Sequence, residues 1–252
     1  MIARGSDWYK NIWTLEAKKQ SWVEETENQV EFIIKTLNLT GKERILDLAC
    51  GFGRHSLAFA RRGFSVIGVD ITKEFIEDAI NSSEKESLNI RFIHSDIRDI
   101  QFKNEFDVVL NLADGAIGYL ENDEENLKVF DVVSKALKSG GKHFMDVCSA
   151  EHAEHYFPKH AWDIGANALS LSLFEWDRDN RRMLYGGFDI PYGEPARKPE
   201  ILYGDPTRLY SLEELQDIFY KRDMKIAGTF SNYYGKEASY KDMQLMVYSL
   251  KV

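Results

Sequence analysis

ILDLACGFGRHS, residues 45–56, opens as the short apolar run of a buried strand, breaks at Gly51 and Gly53, and resumes at Arg54 with a helix-like pattern through Arg62. Strand, glycine turn and helix start together make a ligand cradle. Glycine lets backbone approach the ligand, and the first turn of the helix leaves N–H groups free. Asp47 sets this cradle apart. It stands four residues ahead of Gly51, where its charge would repel a pyrophosphate and attract an ammonium or sulfonium. Ser56 also stands where the third glycine of a dinucleotide fingerprint would fall. The turn, with Cys50 and Arg54 beside its glycines, therefore fits S-adenosylmethionine, with S-adenosylhomocysteine as product, better than NAD.

Working downstream, Gly63 ends the helix and FSVIGV, residues 64–69, reads as a second strand. It finishes at Asp70, 20 residues past Cys50, a spacing at which a carboxylate accepts from both ribose hydroxyls. NAD sites share this feature, so Asp70 and the adjoining Ile71 point to an adenosine ribose and no further. At the outer end of a strand, Asp70 is expected to serve a ligand and not the fold. Thr72 is a candidate cap for a helix through Phe75, Ile76 and Ile80, with a polar stretch over residues 81–89. A third strand, residues 90–93, leads into HSDIRDI. There Asp96 can accept from an adenine amino group and the Ile97 backbone can pair with the ring edge, the plainer alternative being a helix-capping Asp. Asp47, Asp70 and Asp96 thus fall at the ends of three successive strands, a more specific signal than the glycine turn alone.

FDVVLNL, residues 106–112, is a fourth strand that runs into ADGAIGYL, placing Asn111, Leu112 and Asp114 at the reactive end of the cofactor. A helix over residues 121–133 carries acids in its first turn, as the macrodipole favours. Ser139, Gly140 and Gly141 read as a turn before a fifth strand, residues 142–148. From 150 to 208 the pattern changes to period two: Leu169, Leu171 and Leu173 alternate with serines, a turn follows at 177–180, and residues 183–190 return. This is expected to be an antiparallel β insertion after the fifth strand, lying over the active site, with residues 202–210 adding an edge. Ser211 and Glu214 form a capping box for a helix through Tyr220, and two strands close the chain. Upstream, residues 1–40 place Trp8, Tyr9, Ile12, Trp13 and Trp22 at roughly helical spacing. They read as a helical flap, although simple packing on the sheet explains any one of them.

The 252 residues fit one domain, and a net charge of −9 argues against a surface that tracks nucleic-acid phosphates. Two cysteines, Cys50 and Cys148, read as reduced buried thiols. With no run of about 18 apolar residues, the expectation is a cytoplasmic protein off the membrane, monomer or homodimer. His152, His155 and His160 cluster, but without a third ligand they read as a solvated or hinge-like segment, and no metal is assigned. Arg178, Arg181 and Arg182 read as solvated charges on a hairpin tip.

ILDLACGFGRHSLAFARRGFSVIGVDIT, HSDIRDI, FDVVLNLADGAIGY and ALKSGGKHFMDV, spanning 44–148, resemble in order and spacing the class I S-adenosylmethionine-dependent methyltransferases. The small-molecule branch related to glycine and sarcosine N-methyltransferases is nearest, and DWYKNIW and TRLYSLEEL look like parts of that branch. The resemblance implies an α/β, Rossmann-like doubly wound sheet of seven strands with the last antiparallel. It also implies that Gly51 and Gly53 cradle the methionine end, that Asp47 lies beneath its amino group, that Asp70 binds ribose, and that Asp96 with Ile97 reads adenine. The fourth strand ends NLAD and lacks the Asn/Asp-Pro-Pro-Tyr signature of enzymes that methylate bases or glutamine. A small-molecule nitrogen or oxygen is the expected acceptor, with Asn111, Asp114 and Tyr119 near the methyl and Arg208 and Tyr210 reaching from the insertion. An NAD-dependent oxidoreductase or a non-catalytic S-adenosylmethionine-binding protein is the alternative.

Overall fold

Two sheets organise the chain in the computed structural model, which describes residues 1–165 and 167–252. β1 (Ile2–Ala3) is followed by three short 3-10 turns at Trp8–Lys10, Leu15–Lys19 and Ser21–Val23, then by α1 (Thr26–Thr36). Strands and helices then alternate: β2 (Arg44–Leu48), α2 (Arg54–Arg61), β3 (Ser65–Asp70), α3 (Lys73–Lys85), β4 (Ile90–His94), β5 (Phe106–Asn111), α4 (Asp123–Ala136) and β6 (Leu137–Cys148). Next come α5 (Ala150–Tyr156) and four strands, β7 (Lys159–Ile164), β8 (Ala168–Asp177), β9 (Arg182–Pro191) and β10 (Tyr203–Arg208). α6 (Leu212–Tyr220), β11 (Met224–Phe230) and β12 (Gln244–Lys251) complete the fold.

The larger sheet has seven strands in the order β11-β12-β6-β5-β2-β3-β4. β4, β3, β2, β5 and β6 run parallel, whereas β12 is antiparallel to both β6 and β11. This is the expected doubly wound sheet with its last strand reversed. Period two explains why it is covered on both faces. Leu46, Leu48, Ile67, Val69 and Val109 pack with α4 and α6 through Phe130, Val133, Leu215 and Phe219. Their neighbours Ile45, Val66, Val108 and Leu110 pack with α1 and α2 through Val30, Ile33, Ala58 and Phe59. With the helices on its faces, the sheet leaves the carboxyl ends of β2 to β6 as the crevice for a ligand.

In the smaller sheet, ordered β1-β10-β9-β8-β7, strands β7 to β10 are the expected antiparallel insertion, with β8 and β9 paired from Ala168↔Pro191 to Asp177↔Arg182, and β1 from the N-terminal segment adds an unexpected parallel edge. This sheet is docked on the larger one where the Arg208 N–H donates to the Gly118 carbonyl at 2.8 Å. Gly118 has φ +87, and a Cβ there would lie 2.0 Å from the Arg208 carbonyl oxygen.

Local expectations also differ in five places. The first 25 residues form no α-helix: Trp8, Tyr9 and Trp22 sit on 3-10 turns with Trp13 between them, and Trp8 and Tyr9 are buried in the same core cluster as Leu46 and Ile97. The polar stretch from Asn81 begins as the last turn of α3, because its acids and lysine face solvent while Ala79 and Ser83 pack inward. Thr72 precedes α3 without a side-chain bond to it. Ser139 to Gly141 lie inside β6, as an irregularity where pairing jumps from Phe106↔Leu137 to Val108↔Lys142. Finally, the histidine-bearing segment after β6 makes α5 and then β7, an added strand of the insertion.

Candidate cofactor and transfer site

The glycine turn is built by left-handed backbone at Ala49, Gly51 and Gly53, with φ of 56°, 57° and 76°. Asp70 ties it down. One carboxylate oxygen accepts from the Gly51 N–H at 2.8 Å and the other from the Thr72 N–H at 2.7 Å. Each oxygen keeps a second acceptor site, so ribose hydroxyls can still be bound. A Cβ at Gly51 would meet nothing closer than Phe75, at 3.8 Å, so the space above this residue is open to a ligand. At Gly53, by contrast, it would meet Phe92 at 2.9 Å, so that glycine serves packing. Asp47 is buried at the end of β2, and Ser56 donates its hydroxyl to it at 2.6 Å. The serine that replaces the third glycine thus holds the carboxylate. Burial pushes Asp47 up to about 6, against the downward pull of Ser56 and Arg54. A bound cation would ionise it fully.

Asp96 caps the 3-10 turn after β4 by accepting from the Arg98 N–H, and it also takes the Arg98 guanidinium at 2.6 Å. Burial works upward on Asp96, but those bonds outweigh it and hold the group below its ordinary range. Arg98 reaches on to Glu121 at 2.8 Å and Glu125 at 2.7 Å. Tyr9 donates to Glu121 at 2.9 Å, so the N-terminal segment is fastened to the Asp96–Arg98 side of the crevice. The same segment is fastened to the glycine turn: Lys18 lies over the Phe52 ring and pairs with Asp78, and Arg54 lies over Trp22. Arg54 also donates to Thr26 at 2.8 Å and Gln29 at 2.6 Å. Ser21 donates to Asp163 on β7, joining this strap to the insertion. Residues 8–26 therefore run along the mouth of the crevice from one end to the other.

Beyond β5 the backbone makes a left-handed turn, with φ of 52°, 66°, 51° and 61° at Ala113, Asp114, Gly115 and Ala116. For non-glycine residues this conformation costs on the order of 1–3 kcal/mol each. It is held by Asn111 Nδ2 donating to the Gly115 carbonyl at 2.9 Å and by the Asp114 N–H donating to the Asp146 carbonyl at 2.8 Å. Tyr119 donates to Asp114 at 3.1 Å, and Tyr233, from the β11–β12 connection, donates to Asp146 at 2.5 Å. Burial pushes Asp114 up to about 6 and Asp146 up to about 7. Burial also brings the nearby Arg54 down to about 10.

Residues 45–141 match the family described as a methyltransferase domain. A solved S-adenosylmethionine-dependent methyltransferase from Clostridium acetobutylicum superposes with a TM-score of 0.74 at 19% identity, over 93% of this chain and 96% of that one. Residues 45–141 thus carry a methyltransferase domain, and the chain shares its fold with S-adenosylmethionine-dependent methyltransferases. A putative methyltransferase YqeM of Bacillus subtilis is 35% identical over 161 residues, which cover 56% of this chain and 63% of that protein. A glycine/sarcosine N-methyltransferase of Aphanothece halophytica is 30% identical over 151 residues, covering 57% and 56%. The match thus spans less than two thirds of either relative.

Within this methyltransferase domain the crevice brings Asp47, Gly51, Arg54, Asp70, Asp96, Asp114 and Tyr119 to the carboxyl ends of the strands. Ile97 and Leu112 are buried beside them, and the Ile71 carbonyl accepts from His94 at 2.9 Å. The Cys50 thiol packs under the turn, and burial raises it well above its ordinary value. Asn111 corrects the expectation. It is fully buried, and its amide is committed to Gly115 and to His143 Nε2 at 3.2 Å, so it shapes the loop and does not face the methyl. Arg208 and Tyr210 are also displaced from the expected role. Arg208 pairs with Glu214 at 2.6 Å and Asp123 at 3.4 Å and lies over Tyr210, whose ring packs on Phe130. Both line a separate recess of about 250 Å³ with Leu127, Asp217 and Ile218. Hairpin-tip Arg178, Arg181 and Arg182 are ion-paired, with Glu154, Glu214 and Asp123. A recess of about 330 Å³ lined by Arg4, Trp8, Ile12 and Tyr203 contains none of the carboxylates. His152 and His155 turn to separate backbone carbonyls, of Tyr240 and Glu151. Sequence reasoning missed Asp146, Tyr233 and His143. Only the odd Asp in an otherwise apolar strand end, FMDVC, signalled the first.

Proposed function

We propose that this protein transfers a methyl group from S-adenosylmethionine to a nitrogen or oxygen of a small molecule. The carrying observation is the ring of strand-end carboxylates around an open left-handed glycine turn, with the strap fastened at both ends of the crevice. The named activity of the relative from Aphanothece halophytica supports the small-molecule reading. Asp47 would face the amino-acid ammonium, Asp70 the ribose hydroxyls, and Asp96, oriented by Arg98, the adenine amino group with Ile97 beside it. Bound there, the cofactor supplies an electrophilic methyl on a sulfonium, which leaves as a neutral thioether. Because charge disperses in that step, the protein's part is to position and to exclude water. Holding two reactants in line is worth about 7–11 kcal/mol of barrier. The strap, Trp8 against Tyr119 at 4.8 Å between rings, closes the side where the acceptor would enter. Asp114 and Tyr119 would be the groups that touch it.

The test is calorimetry with S-adenosylhomocysteine and NAD⁺, followed by transfer from methyl-labelled S-adenosylmethionine. Tight binding of the first alone, with transfer to a small molecule, is expected. Preference for NAD⁺ would install the oxidoreductase reading. Binding without transfer to any acceptor would leave a cofactor-binding protein that is not an enzyme.

A further inference from the structure

Asp146 is 95% buried by its 5% exposure, and its Oδ1 has no hydrogen-bond partner among the described residues. A carboxylate oxygen left this way keeps its full desolvation penalty, the more so when charged. The other oxygen is bound to Tyr233, and Asp114 adjoins through the 2.8 Å bond from its N–H to the Asp146 carbonyl. Two acids, each bound to a tyrosine hydroxyl, therefore lie near one another where β5 and β6 end, beyond the glycine turn. The loop that brings them there is a strained left-handed turn, clamped by the Asn111 amide and the Asp146 carbonyl.

We propose that this cluster is the acceptor subsite and that it takes a protonated amine, with Asp146 as the proton acceptor. Two carboxylates complement an ammonium, a neutral hydroxyl would leave them repelling each other, and a carboxylate-bearing acceptor group would be excluded. This rests on the methyltransferase reading above and narrows its acceptor. The ammonium gives one proton to Asp146 Oδ1. The nitrogen lone pair so freed forms the N–C bond, and the C–S pair returns to sulfur. One positive charge then resides on the methylated nitrogen and none on sulfur, so charge and atoms balance. The position of Asp146, near 7, suits a base at neutral pH. Facing it are Asp114, Tyr233 and Arg54, while Cys148 lies beside Asp114 and Lys159 beside Cys148. Of the two cations, Arg54 is the one that faces Asp146 and opposes amine entry, and its guanidinium is turned toward Thr26 and Gln29.

The experiment offers methyl-labelled S-adenosylmethionine with ethanolamine, benzylamine and glucosamine, each beside its hydroxyl counterpart ethylene glycol, benzyl alcohol and glucose. Label on nitrogen alone is expected. Asp146→Asn should lower that transfer by about 100-fold or more while leaving S-adenosylhomocysteine affinity within about twofold, its oxygen still accepting from Tyr233. The best amine should also bind the S-adenosylhomocysteine complex more tightly as pH rises from 6 to 8, and Asp146→Asn should erase that trend. Should Asp146→Asn fail to fold, Asp114→Asn carries the same two readouts. Label on the alcohols, label on neither set, or pH-independent amine binding in the parent would overturn the amine subsite. Loss of S-adenosylhomocysteine binding by the parent would instead overturn the methyltransferase reading beneath it.

Discussion

Asp70 ties down the glycine turn as well as being the proposed ribose acceptor, and that changes what its removal should do. Asp70→Ala takes away that proposed acceptor, but also the anchors of the Gly51 and Thr72 N–H groups. Cofactor affinity should fall by about 1–3 kcal/mol, and the thermal midpoint should fall with it. Calorimetry and a melt on the same sample check both, and a melt that does not move would return Asp70 to a purely ligand-facing role. The buried acids make a second prediction. Burial raises Asp47, Asp114 and Asp146 above the ordinary 3.8, to about 6, 6 and 7. Between those values the folded state binds more protons than the unfolded one, so stability contributed by these groups is present in acid and lost as pH rises. Asp146→Asn should therefore cost more stability, or gain less, at pH 5 than at pH 7.5. Urea titrations at the two pH values decide it, and equal differences would mean that Asp146 is ionised throughout. Asp47, Asp70 and Asp96 were legible in the sequence because each is fixed by its own strand and spacing. Tyr233 and His143 were not, since each meets its partner from a distant segment: Tyr233 lies 87 residues from Asp146, and His143 lies 32 from Asn111. No local pattern encodes such a meeting.

At the level of elements, the parallel core and the β8–β9 hairpin were readable because apolar residues recur with period two between clear turns. The strap was misread for a physical reason. Its aromatics recur at nearly helical spacing, yet separate short 3-10 turns present similar side chains, and tertiary packing of Trp8 and Tyr9 decides the outcome. The reading of residues 139–141 failed because glycines that suggest a turn can equally relax a strand irregularity. Docking of the insertion hangs on a close approach that only glycine allows. Gly118→Ala would push a methyl into the Arg208 carbonyl, 2.0 Å away, at a φ of +87. A loss of about 1–3 kcal/mol is expected from such overpacking, with faster amide exchange in β10 than in β2. Unchanged β10 exchange would show that the two sheets are held together elsewhere.

Across the whole molecule, the site lies between a rigid sheet and a lightly held cover. The turns at Leu15–Lys19 and Ser21–Val23 bury no residue fully, so they should open locally at low cost. S-adenosylhomocysteine is expected to slow amide exchange across residues 8–24 while leaving β2 and β5 unchanged, as a gate would. Mass spectrometry of the exchanged peptides checks this, and a strap indifferent to ligand would not be the gate. Completion of the site also has an order in time. Asp146 sits on β6, which is parallel to β5 on one side and antiparallel to β12 on the other, Met246 opposite Asp146. Ser249 on β12 faces His143 Nδ1 at 3.3 Å, and His143 in turn reaches Asn111, which clamps the left-handed loop. Tyr233 also arrives with this last hairpin. A nascent chain can thus lay down its glycine turn early, but its acidic pocket must wait for residues 224–251 to leave the ribosome and wedge home. Pulse-labelled refolding should show protection of β12 no later than ligand competence, making the final hairpin the step at which a folded sheet becomes a working site.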